Sequence, residues 1–165
     1  MEYWSDGFSG LPILQHSITP ILQLDVSLTL KELALLRSAR VGHLATADKN
    51  GQPHVIPICF VFDGKCFYSA IDEKPKRVSP VKLKRLRNIV ENSNVAVVID
   101  RYDEDWRRLA YILILGKARI LQRGKIHQQA VKLLRRKYRQ YHTMTIHKRP
   151  IISITPKQTV VWGKI

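Results

Sequence analysis

A pair of turn signals set between apolar runs does most to limit what this chain can become. In "ATADKNGQPHVIPICFVFDGKCFYSAI", residues 45–71, Asn50-Gly51 separates the first run from the second, and Asp63-Gly64 separates the second from the third. Both dipeptides suit two-residue hairpin turns, whose central residues take positive φ. Residues 41–71 are therefore expected to form a meander of three antiparallel strands. In the second strand His54, Ile56, Ile58, Phe60 and Phe62 alternate with Val55, Pro57, Cys59 and Val61. Both sets are largely apolar, whereas a two-layer antiparallel sheet shows one polar face. The second face must meet another sheet, a subunit or a bound molecule.

The same register bears on the two cysteines. If Phe62 pairs with Lys65 across a tight turn, Cys59 faces Tyr68 and Cys66 faces Val61, so no disulfide is set up. Both read as buried strand residues in a reducing compartment. The opening "MEYWSDGFSG" has no basic region followed by an apolar core, as a signal peptide would. No run reaches the ~18–20 apolar residues of a membrane span. The expectation is a cytoplasmic protein with no membrane partner. A chain of 165 residues fits one domain with an arm. Residues 1–28 mix Gly, Pro and aromatics without periodicity and read as the arm; residues 29–165 read as the domain.

Around the meander the elements are short. Thr29 and Glu32 make a capping box before Leu30, Leu33, Ala34 and Leu36, which predicts a helix over 30–38. Ser79-Pro80 opens a second helix, with Leu83, Leu86, Ile89 and Val90 as its apolar stripe. "VAVVID" is a fourth strand, and "LAYILILGKARIL" a fifth with a bend or bulge at Gly116. A third helix over 125–141 turns Ile126, Ala130, Leu133, Leu134, Tyr138 and Tyr141 inward, and residues 150–165 supply a last strand or a pair of short ones. The expected fold is α+β but mainly β: six antiparallel strands in a barrel, with about three short helices.

Charge is placed unevenly. Residues 1–105 hold 13 basic and 13 acidic residues, whereas residues 106–165 hold 15 basic residues and no carboxylate, so the net +15 lies entirely in the last part. Such a field attracts anions. The helix over 125–141 carries a basic stripe of Lys132, Arg135, Arg136 and Arg139. No nucleic-acid-binding motif accompanies it, so nucleic acid is not expected as a partner. No histidine lies in a metal-binding spacing, and no GxSxG, Walker or GxGxxG motif occurs, so neither a metal nor a hydrolytic site is expected. The strongest chemical signal is the basic run Lys74, Lys76, Arg77, Lys82, Lys84, Arg85 and Arg87, leading into a helix start. Helix N-termini attract phosphate, and Lys82 and Arg85, three apart, share a face. Ser69, ending the preceding strand, adds a hydroxyl.

The stretch "VGHLATADKNGQPHVIPICFVFDGKCFYSAI" followed by "RLRNIVENSNVAVVID" resembles the pyridoxamine 5′-phosphate oxidase-like superfamily. The piece "VIDRYDEDWRRLAYILILGKARIL" is similar to its deazaflavin-dependent (coenzyme F-420) oxidoreductases. The resemblance covers roughly residues 30–162. It implies a flavin-binding split β-barrel and a homodimer with two cofactors at the interface, each touching both chains. It places His54, Val55, Ile56 and Pro57 along the ring system, Tyr68 and Ser69 at the ribityl-phosphate part, and Arg85 on the phosphate. Lys82 supports Arg85, while Lys74, Lys76 and Arg77 would meet a longer anionic tail. The chain departs from the common pattern in Arg for Lys at 85, Ser for Pro at 93, and a longer 72–80 loop. The expected function is an oxidoreductase using FMN or a deazaflavin, with hydride transfer to or from a small-molecule substrate. The basic loop tilts the choice toward the deazaflavin. The alternative is a non-catalytic flavin or haem carrier or sensor on the same barrel. No general acid or base is named.

Overall fold

The computed structural model describes residues 28–72 and 83–165. Helix α1 spans Leu30–Ser38, and its start is the expected capping box: Thr29 Oγ1 accepts from Glu32 N–H at 3.3 Å, and Glu32 Oε2 accepts from Thr29 N–H at 2.7 Å. Leu35 and Leu36 are its buried residues, and Leu30 is exposed. Strand β1 (Gly42–Ala47) turns back into β2 (Pro53–Ile58). Two further strands, β3 (Val61–Phe62) and β4 (Phe67–Ala70), make a second hairpin. Then come α2 (Lys84–Glu91), β5 (Asn94–Arg101), β6 (Ala110–Leu121), α3 (Lys125–Lys137) and β7 (Ile151–Gly163).

The strands form one antiparallel sheet of seven, not six, in the order β2-β1-β5-β6-β7-β4-β3. The expected three-stranded meander is therefore wrong at its second strand. The apolar run 53–62 is two strands, broken at Cys59-Phe60. Its first half pairs with β1 at one edge of the sheet, and its second half pairs with β4 at the other. The register across the second turn shifts too: Val61 faces Tyr68 and Phe62 faces Phe67. The Asp63 carboxylate accepts from the N–H groups of Lys65 (2.8 Å) and Cys66 (2.7 Å), which lengthens the loop beyond two residues. Cys59 and Cys66 are free.

This connectivity bends the sheet. Six strand spacings of ~4.8 Å would put the edges of a flat seven-stranded sheet about 29 Å apart. The step from Ile58 to Val61 can span at most about 10–11 Å. The sheet must therefore curl until β2 and β3 are neighbours at that point, which makes a half-barrel. Its interior holds Leu44, Phe60, Phe67, Val97, Ile99, Ile112, Ile114, Ile152 and Ile154, and α2 adds Leu83, Leu86 and Ile89. A second apolar cluster lies where Ala130, Val131, Leu134, Tyr138 and Tyr141 pack on Tyr68, Ala70 and Ile151.

Two expected stripes shift in detail. Residues 1–27 and 73–82 lie outside the described residues, so the Ser79-Pro80 cap and nearly all of the proposed arm do too. Helix α2 begins at Lys84, with Leu83 as an N-cap that makes no side-chain hydrogen bond. Val90 is 77% exposed, and Asn88 is buried instead because its amide has a partner in the core. Helix α3 ends at Lys137, and a 3-10 turn over Arg139–His142 carries Tyr141 inward. Ile126 is exposed, and His127 is buried in its stead because its Nε2 meets the Arg149 carbonyl at 2.8 Å. Strand β7 is a single strand of 13 residues. The expected irregularity at Gly116 is a bulge: Leu115 faces Gln158 and Gly116 faces Pro156, leaving Lys157 unpaired. A Cβ at position 116 would lie 2.4 Å from the Thr155 carbonyl oxygen, so only glycine fits there.

The Cys59-Phe60 crossing is held by Tyr138. Its hydroxyl accepts from Phe60 N–H at 2.9 Å and points its hydrogen toward the carbonyls of Phe60 (2.8 Å) and Arg40 (3.0 Å). Tyr138→Phe keeps the ring in its apolar cluster but strips Phe60 of these partners. The expected loss of stability is about 1–3 kcal/mol, the cost of leaving buried polar groups unpaired. It would be read as a lower urea midpoint at unchanged slope. An unchanged midpoint would show that the crossing holds without the clamp.

Candidate functional site

One end of the half-barrel is closed by α2, and polar groups converge there. Thr46 on β1 is buried, as is Asn88 on α2. Asn88 Nδ2 donates to Thr46 Oγ1 at 3.0 Å, and the Thr46 hydroxyl donates to the His54 carbonyl at 3.3 Å. The chain of bonds ties α2 to β1 and β2. A second tie joins Lys84 Nζ to Asp48 Oδ2 at 2.7 Å. Asp48 is itself fixed by the N–H groups of Asn50 and Gln52, each at 3.0 Å from Oδ1. The Lys84 hydrogen bond, chiefly, holds the Asp48 carboxyl below its usual range.

Arg85 is half-buried beside this network. Burial pushes its guanidinium pKa down, and the negative charge of Asp72 works against that shift. A desolvated cation at a helix start, where the first N–H groups lack partners within the helix, favours an anion. His54 faces the same region. Its pKa is lowered first by burial and then by the positive charges of Arg85 and Lys84. His54 Nδ1 and Asn88 Oδ1 are buried without hydrogen-bond partners among the described residues. Unpaired polar atoms beside a half-buried cation are a reason to expect a ligand.

The outer face of the sheet differs from the inner one. The pairs Ala45–Val55, Ala45–Ala96, Ala96–Leu115, Val98–Leu113 and Leu113–Val160 form a nearly continuous apolar surface across β2, β1, β5, β6 and β7. Val55 is 60% exposed there, and Pro57 is exposed as well. A groove of about 480 Å³ crosses this face, with Ala45, Ala96 and Leu115 along it and Lys117 and Lys157 among its lining. Thr46 also borders the groove, so groove and polar network meet at one end of the sheet.

The expected site residues fall into three groups. His54 and Ile56 turn toward the barrel interior, and Val55 and Pro57 toward the bare face, so β2 presents both sides at the site. Arg85 stands beside His54 as described. Tyr68 and Ser69 are both buried but on opposite sides: Tyr68 lies in the cluster beneath α3 with its hydroxyl on Asp63 Oδ2 at 3.0 Å, while the alternation of β4 turns Ser69 away from it. Lys74, Lys76, Arg77 and Lys82 lie outside the described residues. Thr46 and Asn88 were not anticipated; the one signal in the sequence is a polar Asn between the apolar Leu86 and Ile89. Among the described residues no three His, Cys, Asp or Glu side chains gather to hold a metal ion, and no helix is long and apolar enough to cross a membrane.

Comparison with known proteins places this geometry. The family described as "Pyridoxamine 5'-phosphate oxidase" matches residues 28–163. A 5a,11a-dehydrotetracycline/5a,11a-dehydrooxytetracycline reductase of Streptomyces rimosus is 28% identical over 136 residues, covering 82% of each chain. The haem storage protein of Vibrio cholerae superposes with a TM-score of 0.65 at 14% identity, over 81% of this chain and 92% of that one. An F-420 reductase superposes with a TM-score of 0.55 at 22% identity, over 77% and 94%. At these identities the two structures share the fold.

The depressed His54 fixes a sign for pH dependence. The unfolded chain takes up a proton near the ordinary histidine value of about 6.5, and the folded protein does so only at lower pH. The stability that His54 contributes is therefore complete above that value and is lost as pH falls below it. Urea unfolding at pH 7.5 and 5.5 should show less loss for His54→Gln than for the parent. An equal loss in both would remove His54 as the source.

Proposed function

Because the chain belongs to the pyridoxamine 5′-phosphate oxidase family, we propose that it is an oxidoreductase holding FMN or a deazaflavin at the end of the sheet closed by α2. The observation that carries this is the half-buried Arg85 at the start of α2, beside the unpartnered His54 Nδ1. A flavin-type cofactor suits that donor set. Arg85 and the first N–H groups of α2 would take the phosphate, while Lys84 is engaged by Asp48. Val55 and Pro57 would offer the ring system an apolar wall, with backbone polar groups of β2 for its edge. When bound, the cofactor supplies the hydride chemistry, and the chain orients it, shields it from water and neutralises its charge.

The bare outer face supports a homodimer. A monomer rarely leaves a broad apolar sheet face to water. A second copy placed there would cover Val55, Leu113 and Leu115 and close the groove over a cofactor. Lys117 and Lys157 in that groove favour the deazaflavin, whose anionic tail extends beyond its phosphate. So does the likeness to the F-420 reductase in fold. The substrate is a small molecule, and the free cysteines fit a reducing, cytoplasmic setting.

Two variants and a spectrum test this reading. Arg85→Ala should weaken FMN or coenzyme F-420 binding by about tenfold or more, since a charge-assisted hydrogen bond contributes roughly 1.5–3 kcal/mol. A folded variant that binds as tightly as the parent would refute the phosphate role. Val55→Glu should turn a dimer into a monomer in sedimentation. A parent that is already monomeric, or a variant that stays dimeric, would rule out this face as the interface. The visible spectrum of the purified protein separates flavin, deazaflavin and haem, and a haem band would favour the carrier alternative.

A further inference from the structure

Helix α1, strand β3 and helix α3 enclose a cleft of about 520 Å³ that shares no lining residue with the site at α2. That volume lies within the ~300–1,000 Å³ of small-ligand sites. Its floor is apolar: Leu33 and Leu36 from α1, Val61 and Phe62 from β3, and Leu133 from α3. Its rim is cationic: Arg37 from α1, and Arg136 and Lys137 from α3. On α3 the lining positions 129, 133, 136 and 137 recur at helical spacing, so they form one stripe facing the cleft.

Among the described lining residues the rim charges are only partly offset, by the carboxylate of Asp63. Among the described residues neither Arg37 nor Arg136 forms an ion pair. Asp63 is the acid among the described lining residues, and both its oxygens are turned to its own hairpin rather than to the rim cations. Oδ1 accepts from Lys65 N–H and Cys66 N–H, and Oδ2 accepts from the Tyr68 hydroxyl. Lys137 is held deeper. Its Nζ donates to the Leu36 carbonyl at 3.0 Å and lies 4.1 Å from the centroid of the Phe60 ring. Among the described lining residues three cations stand against one carboxylate that is turned to its own hairpin. The rim therefore keeps a net positive charge over an apolar floor, and a bound anion would relieve the repulsion.

We infer that this cleft binds an amphipathic anion, a small molecule with an apolar or aromatic body and one carboxylate or sulfonate group. The body lies on Leu33, Leu36 and Phe62, and the anionic group meets Arg37, Arg136 and Lys137. Lys137 gives the site a pH signature. Burial, and next the charge of Arg40, push its amine down to about 8. Its positive charge is therefore present below that value and lost above it, and the anion's affinity should fall between pH 7 and 9.

The test uses naphthalene-1-sulfonate titrated calorimetrically into the full chain, with the neutral naphthalene-1-sulfonamide as comparison. Binding should weaken about tenfold or more in R37E/R136E, because two charge-assisted contacts become repulsive. The charge-matched control K132E/R139E alters exposed positions outside the cleft and should leave binding unchanged. The neutral probe should bind about tenfold more weakly than the sulfonate. The proposal is overturned by no binding, by equal binding in R37E/R136E, by equal loss in the control, by equal affinity for the neutral probe, or by an affinity that does not fall from pH 7 to 9.

Discussion

The structure depends on one short crossing. Residues 53–58 belong to one edge of the sheet and residues 61–62 to the other, and only Cys59 and Phe60 lie between them. A seven-stranded sheet cannot stay flat under that constraint. The crossing would be a weak point if its backbone were left unpaired inside the protein. Tyr138 supplies the missing partners from the end of α3, and Lys137 and Arg40 stack on the Phe60 and Tyr138 rings. The end of α3 is thus a clasp for the sheet, which gives Arg40 and Lys137 a structural task whatever else Lys137 meets in the cleft.

Curling divides the sheet's two faces between two jobs. The inner face fills itself with Ile, Leu, Val and Phe and is closed at one end by α2. Among the described residues no helix covers the outer face of β2, β1, β5 and β6, while α3 covers β4 and the start of β7. Strand β2 lies at the boundary: its His54 side meets Arg85 and its Val55 side meets the bare surface. A cofactor with a flat apolar ring and an anionic end matches that boundary. The same split explains the doubly apolar second run of the sequence, since each of its faces has a different surface to meet.

What the sequence showed, and what it hid, follows from range. The α1 capping box is contained within four residues and was legible. Gly116 was legible as a bulge because glycine leaves the space that the Thr155 carbonyl occupies. The turn dipeptides located both hairpins but not their registers, because the Asp48 and Asp63 carboxylates capture nearby N–H groups and widen the loops. The break at Cys59-Phe60 carries no Gly or Pro and is stabilised by a residue 78 positions away. Asn88 and Thr46 are 42 positions apart, so their bond could not be read locally. Arg85 was singled out by the charge run and by a family pattern; the structure shows it half-buried at the start of α2, and most of the run lies outside the described residues.

The central claim is that the end of the half-barrel closed by α2, together with the bare sheet face, forms a single cofactor site. A crystal structure of the protein soaked with FMN tests it most directly. The account predicts the phosphate within hydrogen-bond reach of Arg85 and the start of α2, with the ring lying along Val55 and Pro57 under a second copy of the chain. A phosphate held elsewhere, or a ring away from β2 with the outer face open to solvent, would contradict it.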